Sequence, residues 1–290
     1  MNAFSKVHPG VASVYFLGIL LFSMFVMNPV LELLTLLGGL LFCLSLPGDK
    51  KGLGGYFGMI LIMALVNPLF SHNGVTPLFF MNGNAVTLEA LAYGAAMGVM
   101  LGGVLLWCRS FSLLMTSEKL VYLVGRGCPK LAVVLSSALR YVPMLKRQAR
   151  RVERAQRAAG LFGPDNRADR LRASLRVWAV LVSWSLENGV ETARSMAARG
   201  YGLRGRTNYG NVSFTLRDGV LLGVVAALSG GVLAGLLAGE LAFSWYPALV
   251  WREPGPLGAG SYVCFGALAL LPVCLEWEER IRWNYSRSKI

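Results

Sequence analysis

The sequence predicts an all-α integral membrane protein with about six transmembrane helices and a pair of long cytoplasmic helices. Of the 290 residues, 55% are hydrophobic and only 15% are charged, against about 25% charged residues in an ordinary soluble domain. The net charge of +13 lies in one internal block, because residues 126–217 hold 18 of the 28 Lys and Arg residues but 5 of the 15 Asp and Glu residues. This combination argues against a compact cytosolic enzyme, a disordered tail and a secreted disulfide scaffold.

Six apolar segments approach or exceed the roughly 17–20 residues that a helix needs to cross a bilayer. They are residues 11–27, 30–46, 53–69, 86–111, 219–241 and the short segment 261–275. Asn28-Pro29 predicts a tight turn between the first two. We expect residues 67–85, which contain no Lys or Arg, to form an ordered external loop. The predicted organisation is a four-span membrane domain (1–115), a cytoplasmic region (116–215) and a two-span segment with a short tail (216–290).

Basic residues predict the orientation of these spans, because cytoplasmic loops are enriched in Lys and Arg. Lys50 and Lys51 lie between the second and third spans, and the basic block lies between the fourth and fifth. Further basic residues follow the sixth span: Arg280, Arg282, Arg287 and Lys289. Both termini are therefore expected in the cytoplasm, and the amino end shows no evident cleavable signal.

Small residues recur at helical spacing in two of the spans. Gly94, Gly98 and Gly102 form one row in the fourth span. A second row in the fifth span consists of Gly223, Ala227, Gly231 and Gly235. Such rows let helix backbones approach closely in lipid. They indicate either packing within this chain or a face for a separate membrane partner, and the pattern does not separate these alternatives.

The basic block predicts a short helix followed by two long ones. Thr116-Ser117 is a plausible start for the short helix, which stops near residues 125–127, and Pro129 opens the next. Residues 144–160 are amphipathic, with a narrow face of small residues. The second long helix covers about residues 171–198. Its apolar stripe is expected to pack on the first helix and on the membrane domain: Leu171, Leu175, Trp178, Val182, Leu186, Val190, Ala193 and Ala197.

Three roles could explain the charge of this block. Nucleic-acid binding would use this positive charge, but a helical hairpin tethered to a membrane is an unusual place for a nucleic-acid site. Attraction to anionic lipid head groups contributes about 1 kcal/mol per basic residue near the surface. The third role is docking of helix tips into a soluble partner. Only the third explains why both helices end in a tip of small residues closed by a glycine, Gly160 and Gly200.

Motifs for enzymatic chemistry are absent from the sequence. It has no GxxxxGKS/T phosphate loop, GxSxG elbow, HExxH pair or evident carboxylate dyad. The five cysteines form no CxxC pair and the two histidines are far apart, which argues against a disulfide framework or a zinc site. We therefore expect no enzyme, no bound cofactor and no metal in this chain, and any energy for transport has to come from another chain.

The two helix tips resemble those of the transmembrane T components of energy-coupling factor (ECF) transporters, the CbiQ/EcfT family. Ala198-Arg199-Gly200 resembles the family's Ala-Arg-Gly motif. Residues 155–160 resemble its first motif, usually Ala-Gln-x-Ala-Arg-Gly. Other family-like stretches are His8-Pro9, Asn67-Pro68-Leu69-Phe70, Asn82-Gly83-Asn84, Leu88-Glu89-Ala90 and Leu139-Arg140-Tyr141-Val142-Pro143. The resemblance covers most of residues 8–210.

The resemblance implies a multi-pass protein of a bacterial cell membrane that couples two ABC-type ATPases to a small membrane S component, for uptake of a vitamin or metal ion. ATP and Mg would be bound by the ATPases, and nucleic acid is not an expected partner. The implied docking residues are Ala158, Ala159, Gly160 and Arg157 at the first tip, and Ala198, Arg199 and Gly200 at the second. Candidates for the S-component face are Gly94, Gly98, Gly102, Gly223 and Gly231.

One position departs from the family pattern, because Ala159 stands where the first motif usually has Arg. Either Arg157 or Arg154 reaches from the preceding turn, or this tip relies on packing alone. The alternative to the lead interpretation is a self-sufficient secondary transporter or channel. The scarcity of charged residues within the spans disfavours it, because Glu32, Glu89 and Glu240 all lie near span ends.

Overall fold

The computed structural model describes residues 4–46, 52–71, 73–81, 84–161, 167–203, 213–251 and 253–287. The chain folds into two compact units. The first, here the membrane unit, comprises residues 1–116 and 212–290, and the second, here the arm unit, comprises residues 117–211. The helices and strands of the chain, in order, are α1 (Pro9–Phe25), α2 (Pro29–Ser45), α3 (Leu53–Phe70), β1 (Pro77–Met81), β2 (Asn84–Thr87), α4 (Leu88–Leu114), α5 (Ser117–Gly127), α6 (Pro129–Ala158), α7 (Arg167–Ala198), α8 (Leu216–Leu237) and α9 (Pro256–Arg287).

Four helices of the membrane unit, α3, α4, α8 and α9, are long and apolar enough to cross a bilayer. The helices α1 and α2 are apolar but shorter, at 17 residues each. Many of their large side chains are exposed on the outside of the unit, which suits a lipid environment. The predicted fold class, an all-α membrane protein, is confirmed.

Prolines and capping side chains start the first two helices. Pro9 and Pro29 occupy the first helical turn, where a missing N–H costs nothing. Nδ1 of His8 accepts from the Gly10 amide at 3.1 Å, and Oδ1 of Asn28 accepts from the Val30 amide at 3.0 Å. The tight turn predicted at Asn28-Pro29 therefore lies between α1 and α2.

An aromatic cluster forms the centre of the membrane unit. The indole of Trp107 stacks on Phe42 with ring centroids 5.9 Å apart and makes edge contacts with Phe16 and Tyr15. Its Nε1 donates to the Thr35 carbonyl at 3.0 Å, and the Tyr15 hydroxyl donates to the Leu268 carbonyl at 2.9 Å. Both buried polar groups are therefore satisfied, and the cluster joins α1, α2, α4 and α9.

The external segment differs from the predicted loop. Helix α3 continues through Asn67 and Pro68, because a proline in the last turn removes only one hydrogen bond of the helix. The side-chain amide of Asn67 also donates a hydrogen bond, from Nδ2 to the Ala90 carbonyl of α4 at 2.6 Å, which fixes this end of α3. Beyond it, β1 and β2 form an antiparallel hairpin that the sequence pattern did not indicate, and α4 begins at Leu88.

Two acidic residues expected at the membrane interface, Glu32 and Glu89, are buried in the protein. Glu89 accepts from the hydroxyl of Thr76 at 2.8 Å and caps the segment before β1. Glu240 instead holds the start of α9, where its carboxylate accepts from the Gly258 amide. Glu89 and Glu240 therefore have hydrogen-bond donors within the protein, whereas the described residues offer the buried Oε1 of Glu32 no hydrogen-bond partner.

The predicted short last span, residues 261–275, is wrong in length. Helix α9 has 32 residues and continues through Pro272 and into a charged end. Three contacts hold that end on the membrane unit: Glu276 accepts from the Phe4 amide at 3.2 Å, Glu279 pairs with Lys6, and Arg280 donates to the Ser45 carbonyl at 2.7 Å. These partners are distant in sequence, so the local pattern could not reveal them.

Candidate functional site: the tips of the arm unit

The arm unit consists of α5, α6 and α7. Helix α5 begins at Ser117 and ends at Gly127, and α6 begins at Pro129, as the sequence predicts. Helix α6 runs without interruption through Pro143. Helix α7 ends at Ala198 as predicted but begins at Arg167, four residues before the predicted start. The sequence Gly163-Pro164-Asp165 predicts a turn between α6 and α7, and this turn lies outside the described residues.

Polar contacts hold α6 against α7. The Tyr141 hydroxyl lies 2.7 Å from Oγ1 of Thr192 and 3.3 Å from the Asn188 carbonyl oxygen. Nearer the end of α6, the Arg176 guanidinium donates to the Leu161 carbonyl at 2.9 Å. These contacts set α6 and α7 as neighbours with the end of α6 bound to α7.

The predicted packing of the apolar stripe of α7 on α6 is wrong. Trp178 of the stripe is 66% exposed, and its seven other members are also exposed: Leu171, Leu175, Val182, Leu186, Val190, Ala193 and Ala197. The face that meets α6 is offset by two residues, or about 200° around the helix. It consists of Ala173, Val177, Leu181, Trp184, Asn188 and Thr192, all buried or half-buried. Both faces are apolar at helical spacing, so α7 keeps a second apolar face that its own unit does not cover.

The first tip closes in a Schellman motif, a C-terminal cap built on a left-handed residue. Gly160 has φ +71°, which a side chain would strain. Its amide donates to the Arg157 carbonyl at 3.0 Å, and the Leu161 amide reaches back to the Gln156 carbonyl at 3.0 Å. Two of the carbonyls at the end of α6 are thereby satisfied.

The second tip repeats this geometry. Gly200 has φ +82°, and its amide donates to the Ala197 carbonyl at 3.0 Å. The Tyr201 amide donates to the Met196 carbonyl, also at 3.0 Å. Both glycines predicted to end the helices therefore do so in the same type of cap.

Equal caps allow the two tips to be matched residue by residue. Relative to its glycine, Ala159 occupies the cap position that Arg199 occupies in the second tip, and Arg157 corresponds to Ala197. Arg157 pairs with Glu153 of its own helix at 2.6 Å. The two tips therefore differ in charge at two positions: the second has Arg199 where the first has Ala159, and the first has Arg157 where the second has Ala197.

Arg199 is the distinctive side chain of the second tip. It is exposed, and among the described residues it forms no hydrogen bond or ion pair. Its positive charge lies at the C-terminal end of α7, where the helix dipole is negative. The flanking Ala198 and Gly200 offer almost no side-chain bulk. A planar guanidinium thus stands on a narrow tip, where it can donate to carboxylates or to backbone carbonyls of another surface.

The glycine rows of the membrane unit have different surroundings. A Cβ at Gly94 would lie 2.6 Å from Cβ of Asn67, and one at Gly98 would lie 2.8 Å from Cα of Ile60. Gly102 also faces the Ile60 side chain, so this row packs α4 against α3. Of the two alternatives for this row, the structure therefore shows packing within the chain. In α8, Gly231 packs on Cys264 of α9, whereas a Cβ at Gly223 would meet nothing within 4 Å.

Two features of the arm unit escaped the sequence analysis. The bond from Arg176 to the first tip joins residues 15 positions apart, and no motif signals it. The packed face of α7 was missed because it ends in the polar residues Asn188 and Thr192, whereas the exposed stripe is apolar from Leu171 to Ala197.

Comparisons with known proteins cover the first two thirds of the chain, including both tips. The family model described as CbiQ, cobalt transport protein, matches residues 2–209. Among curated relatives, an ECF transporter transmembrane protein EcfT of Bacillus selenitireducens is 36% identical over 107 residues, which cover 36% of this chain and 40% of the relative. EcfT of Listeria innocua is 31% identical over 62% of this chain and 72% of its own length.

A third relative, EcfT of Lactococcus lactis, is 28% identical over 67% of this chain and 77% of its own length. The family match includes both tips and ends before α8. From the extent of this match and the identity to the Listeria innocua protein, the chain belongs to the CbiQ/EcfT family and is a transmembrane component of an energy-coupling factor transporter.

Proposed function

We propose that this chain couples ATP-driven motion of two ATPase subunits to a substrate-binding S component. The arm unit receives the motion at its two tips, and the membrane unit passes it on. The imported substrate belongs to the vitamins or metal ions and is chosen by the S component. ATP and Mg are bound by the ATPases, and this chain is not an enzyme.

The observation that carries the proposal is the equal capping of α6 and α7. Two long helices close in the same Schellman geometry, after Ala158-Ala159 at Gly160 and after Ala198-Arg199 at Gly200. A cap of this kind ends a helix compactly, so the backbone of a tip can come close to the wall of a groove, and Arg199 is the long side chain that the second tip adds. Two such tips suit two similar soluble partners.

Arg199 is the residue on which docking at the second tip depends. Its guanidinium is exposed, and the described protein leaves its five donors unused. Charge-assisted hydrogen bonds to a carboxylate or a carbonyl of the ATPase are the strong kind. At the first tip, Ala158, Ala159 and Gly160 provide a packing contact, with Arg157 at its side.

Two uncovered surfaces support contact with a membrane partner. The exposed apolar stripe of α7 leaves Trp178 and Leu186 without packing in their own unit. Gly223 of α8 is exposed and has open space around it, which permits close helix approach. We therefore assign the S-component contact to Gly223 rather than to the glycines of α4, which α3 already occupies.

Reconstituted uptake tests the proposal. The full chain is placed in liposomes alone, with candidate ATPases, and with ATPases plus an S component, and uptake of a labelled vitamin or metal ion is measured with and without ATP. ATP-dependent uptake that requires all partners is expected. Uptake by this chain alone would instead establish the alternative, a self-sufficient secondary transporter or channel.

A further inference from the structure

A groove in the membrane unit lies between the first half of α8 and the charged end of α9. Its volume is about 950 Å³, within the range of ligand sites, roughly 300–1,000 Å³. The residues Lys6 and Val7 of the amino-terminal segment close one side. The groove takes no part in the proposed coupling function, and every residue that lines it belongs to the membrane unit.

The lining separates charge from apolar surface along the length of the groove. All the charged groups lie at one end, here the mouth: Lys6, Arg217, Asp218, Glu278, Glu279 and Arg282. Away from the mouth the walls are aliphatic, with Val220, Leu221 and Val224 on α8 and Leu271 and Leu275 on α9. At 1.5 Å per residue, Val224 lies about 10 Å along α8 from Arg217. A ligand that fits is charged at one end and hydrocarbon at the other.

The carboxylates of the mouth are already occupied. Asp218 is buried and accepts from the His8 amide at 2.9 Å and from the Thr215 amide at 2.9 Å. Glu279 pairs with Lys6, and Glu278 pairs with Arg282 at 2.8 Å. Each acidic group therefore has donors from the protein itself.

Arg217 is the cation left over. Its side chain is exposed at the mouth, and within the described ranges it forms no ion pair or hydrogen bond. Lys6 and Arg282 are also exposed, so three cations reach the surface of the mouth against one exposed carboxylate, Glu278, because Asp218 is buried and Glu279 is half-buried. The exposed charge of the mouth is therefore positive on balance, which suits the phosphate of a phosphodiester.

We propose that this groove binds an anionic phospholipid, with the phosphate on Arg217 and an acyl chain between α8 and α9. Basic pockets between transmembrane helices are recognised sites for anionic head groups. The guanidinium fork matches phosphate oxygens, and the aliphatic walls accept the chain. The site holds a lipid whether or not the ATPases are present.

Native mass spectrometry of the purified full chain tests the site. The protein is released from nanodiscs that contain equal amounts of phosphatidylglycerol and phosphatidylcholine, and the lipids it retains are counted. We expect phosphatidylglycerol to be retained preferentially, and Arg217→Gln to lower this preference by about fivefold. Arg287→Gln is the matched control, because Arg287 is exposed on α9 but does not line the groove; it should keep the preference.

A second variant tests the apolar part. Val224→Trp fills the apolar part of the groove and should reduce retention of both lipids. A circular dichroism spectrum and a melting temperature like those of the wild type would show that this variant still folds. Equal retention of the two lipids by the wild type, the signature of annular lipid only, would overturn the proposal. A preference that survives both Arg217→Gln and Val224→Trp would also overturn it. Because no ATPase is present, neither outcome depends on the coupling function.

Discussion

The membrane unit and the arm unit are stabilised in different ways. The membrane unit has a contiguous buried core in which Trp107, Tyr15, Phe16 and Phe42 are almost wholly inaccessible. In the described part of the arm unit, Ala173 is the one fully buried apolar side chain. The arm helices, at 30 and 32 residues, are instead held by a few polar contacts and expose large apolar side chains. The first unit supplies its own packing, whereas the second leaves much of its apolar surface uncovered.

Two tryptophans offer the sharpest test of this difference. Trp107 is 0% exposed and Trp178 is 66% exposed. Trp107→Ala removes the centre of the aromatic cluster and leaves a cavity, so we expect a loss of about 3–5 kcal/mol in the free energy of unfolding. The measurement is denaturant unfolding of the detergent-solubilised chain, followed by circular dichroism.

Trp178→Ala is the matched control and should leave the stability of the isolated chain within about 0.5 kcal/mol of the wild type. If the exposed stripe of α7 is a partner surface, the same variant should weaken retention of the S component. Equal destabilisation by the two alanines would mean that the arm unit has a core of its own and would remove the contrast between the units.

Glycine packing gives the next largest effect. A Cβ at Gly98 would approach Cα of Ile60 to 2.8 Å and its carbonyl oxygen to 3.0 Å. Since both atoms are backbone, α3 and α4 have to separate, and Gly98→Ala should cost about 1–3 kcal/mol of stability. Thermal unfolding in detergent measures it.

The control for this substitution is Gly260→Ala in α9, where a Cβ would meet nothing within 4 Å. Alanine is the better helix former by roughly 0.5–1 kcal/mol, so this variant should be neutral or stabilising. A Gly98→Ala protein as stable as Gly260→Ala would show that α3 and α4 can separate without cost, and it would return Gly98 to the set of possible partner contacts.

The two tips differ in charge within the same cap, and this difference predicts unequal docking. Arg199→Ala should lower retention of the ATPases in detergent by about tenfold, the equivalent of one charge-assisted hydrogen bond. Arg157→Ala should have a smaller effect, because Arg157 precedes the cap position and pairs with Glu153. Co-purification of tagged ATPases, titrated to give an affinity, measures both.

Arg194→Ala is the control, since Arg194 is exposed on α7 before the tip. Restoring the family's usual residue with Ala159→Arg should strengthen retention at the first tip. Equal losses from Arg199→Ala and Arg157→Ala would contradict the inequality of the tips, even if the coupling function itself were established by uptake.

Sequence predicted those features that depend on local chemistry. The ends of α6 and α7 follow from Gly160 and Gly200, because a left-handed cap requires a residue without a side chain. The start of α6 follows from Pro129 in the first turn, whereas the first two spans, predicted from residues 11 and 30, begin at Pro9 and Pro29. Gly160, Gly200 and Pro129 determine the backbone conformation within a few positions of their own place in the sequence. Contacts with the rest of the chain or with a partner therefore have little influence on where these helices begin and end.

Features that depend on distant contacts were missed. Helix α9 continues past its apolar stretch because Glu276 binds the Phe4 amide, 272 residues away. Tyr141 of α6 contacts Asn188 and Thr192 on the packed face of α7. The pattern of apolar residues in α7 alone does not show which of its two faces makes this contact. The exposed face is the more regular one, which is consistent with a surface selected for another protein rather than for this chain.

The smallest effect is expected at the contact between the arm helices. Tyr141→Phe removes the hydroxyl that lies 2.7 Å from Oγ1 of Thr192 and 3.3 Å from the Asn188 carbonyl oxygen, at a cost of about 0.5–1.5 kcal/mol. Hydrogen exchange of the α6 and α7 amides should become faster while the amides of α1 and α4 are unchanged, because the two units are stabilised separately. A double-mutant cycle with Thr192→Val isolates the pair. Faster exchange throughout both units would show instead that the chain unfolds as one body, and the arm helices would then owe their order to the membrane unit rather than to Tyr141.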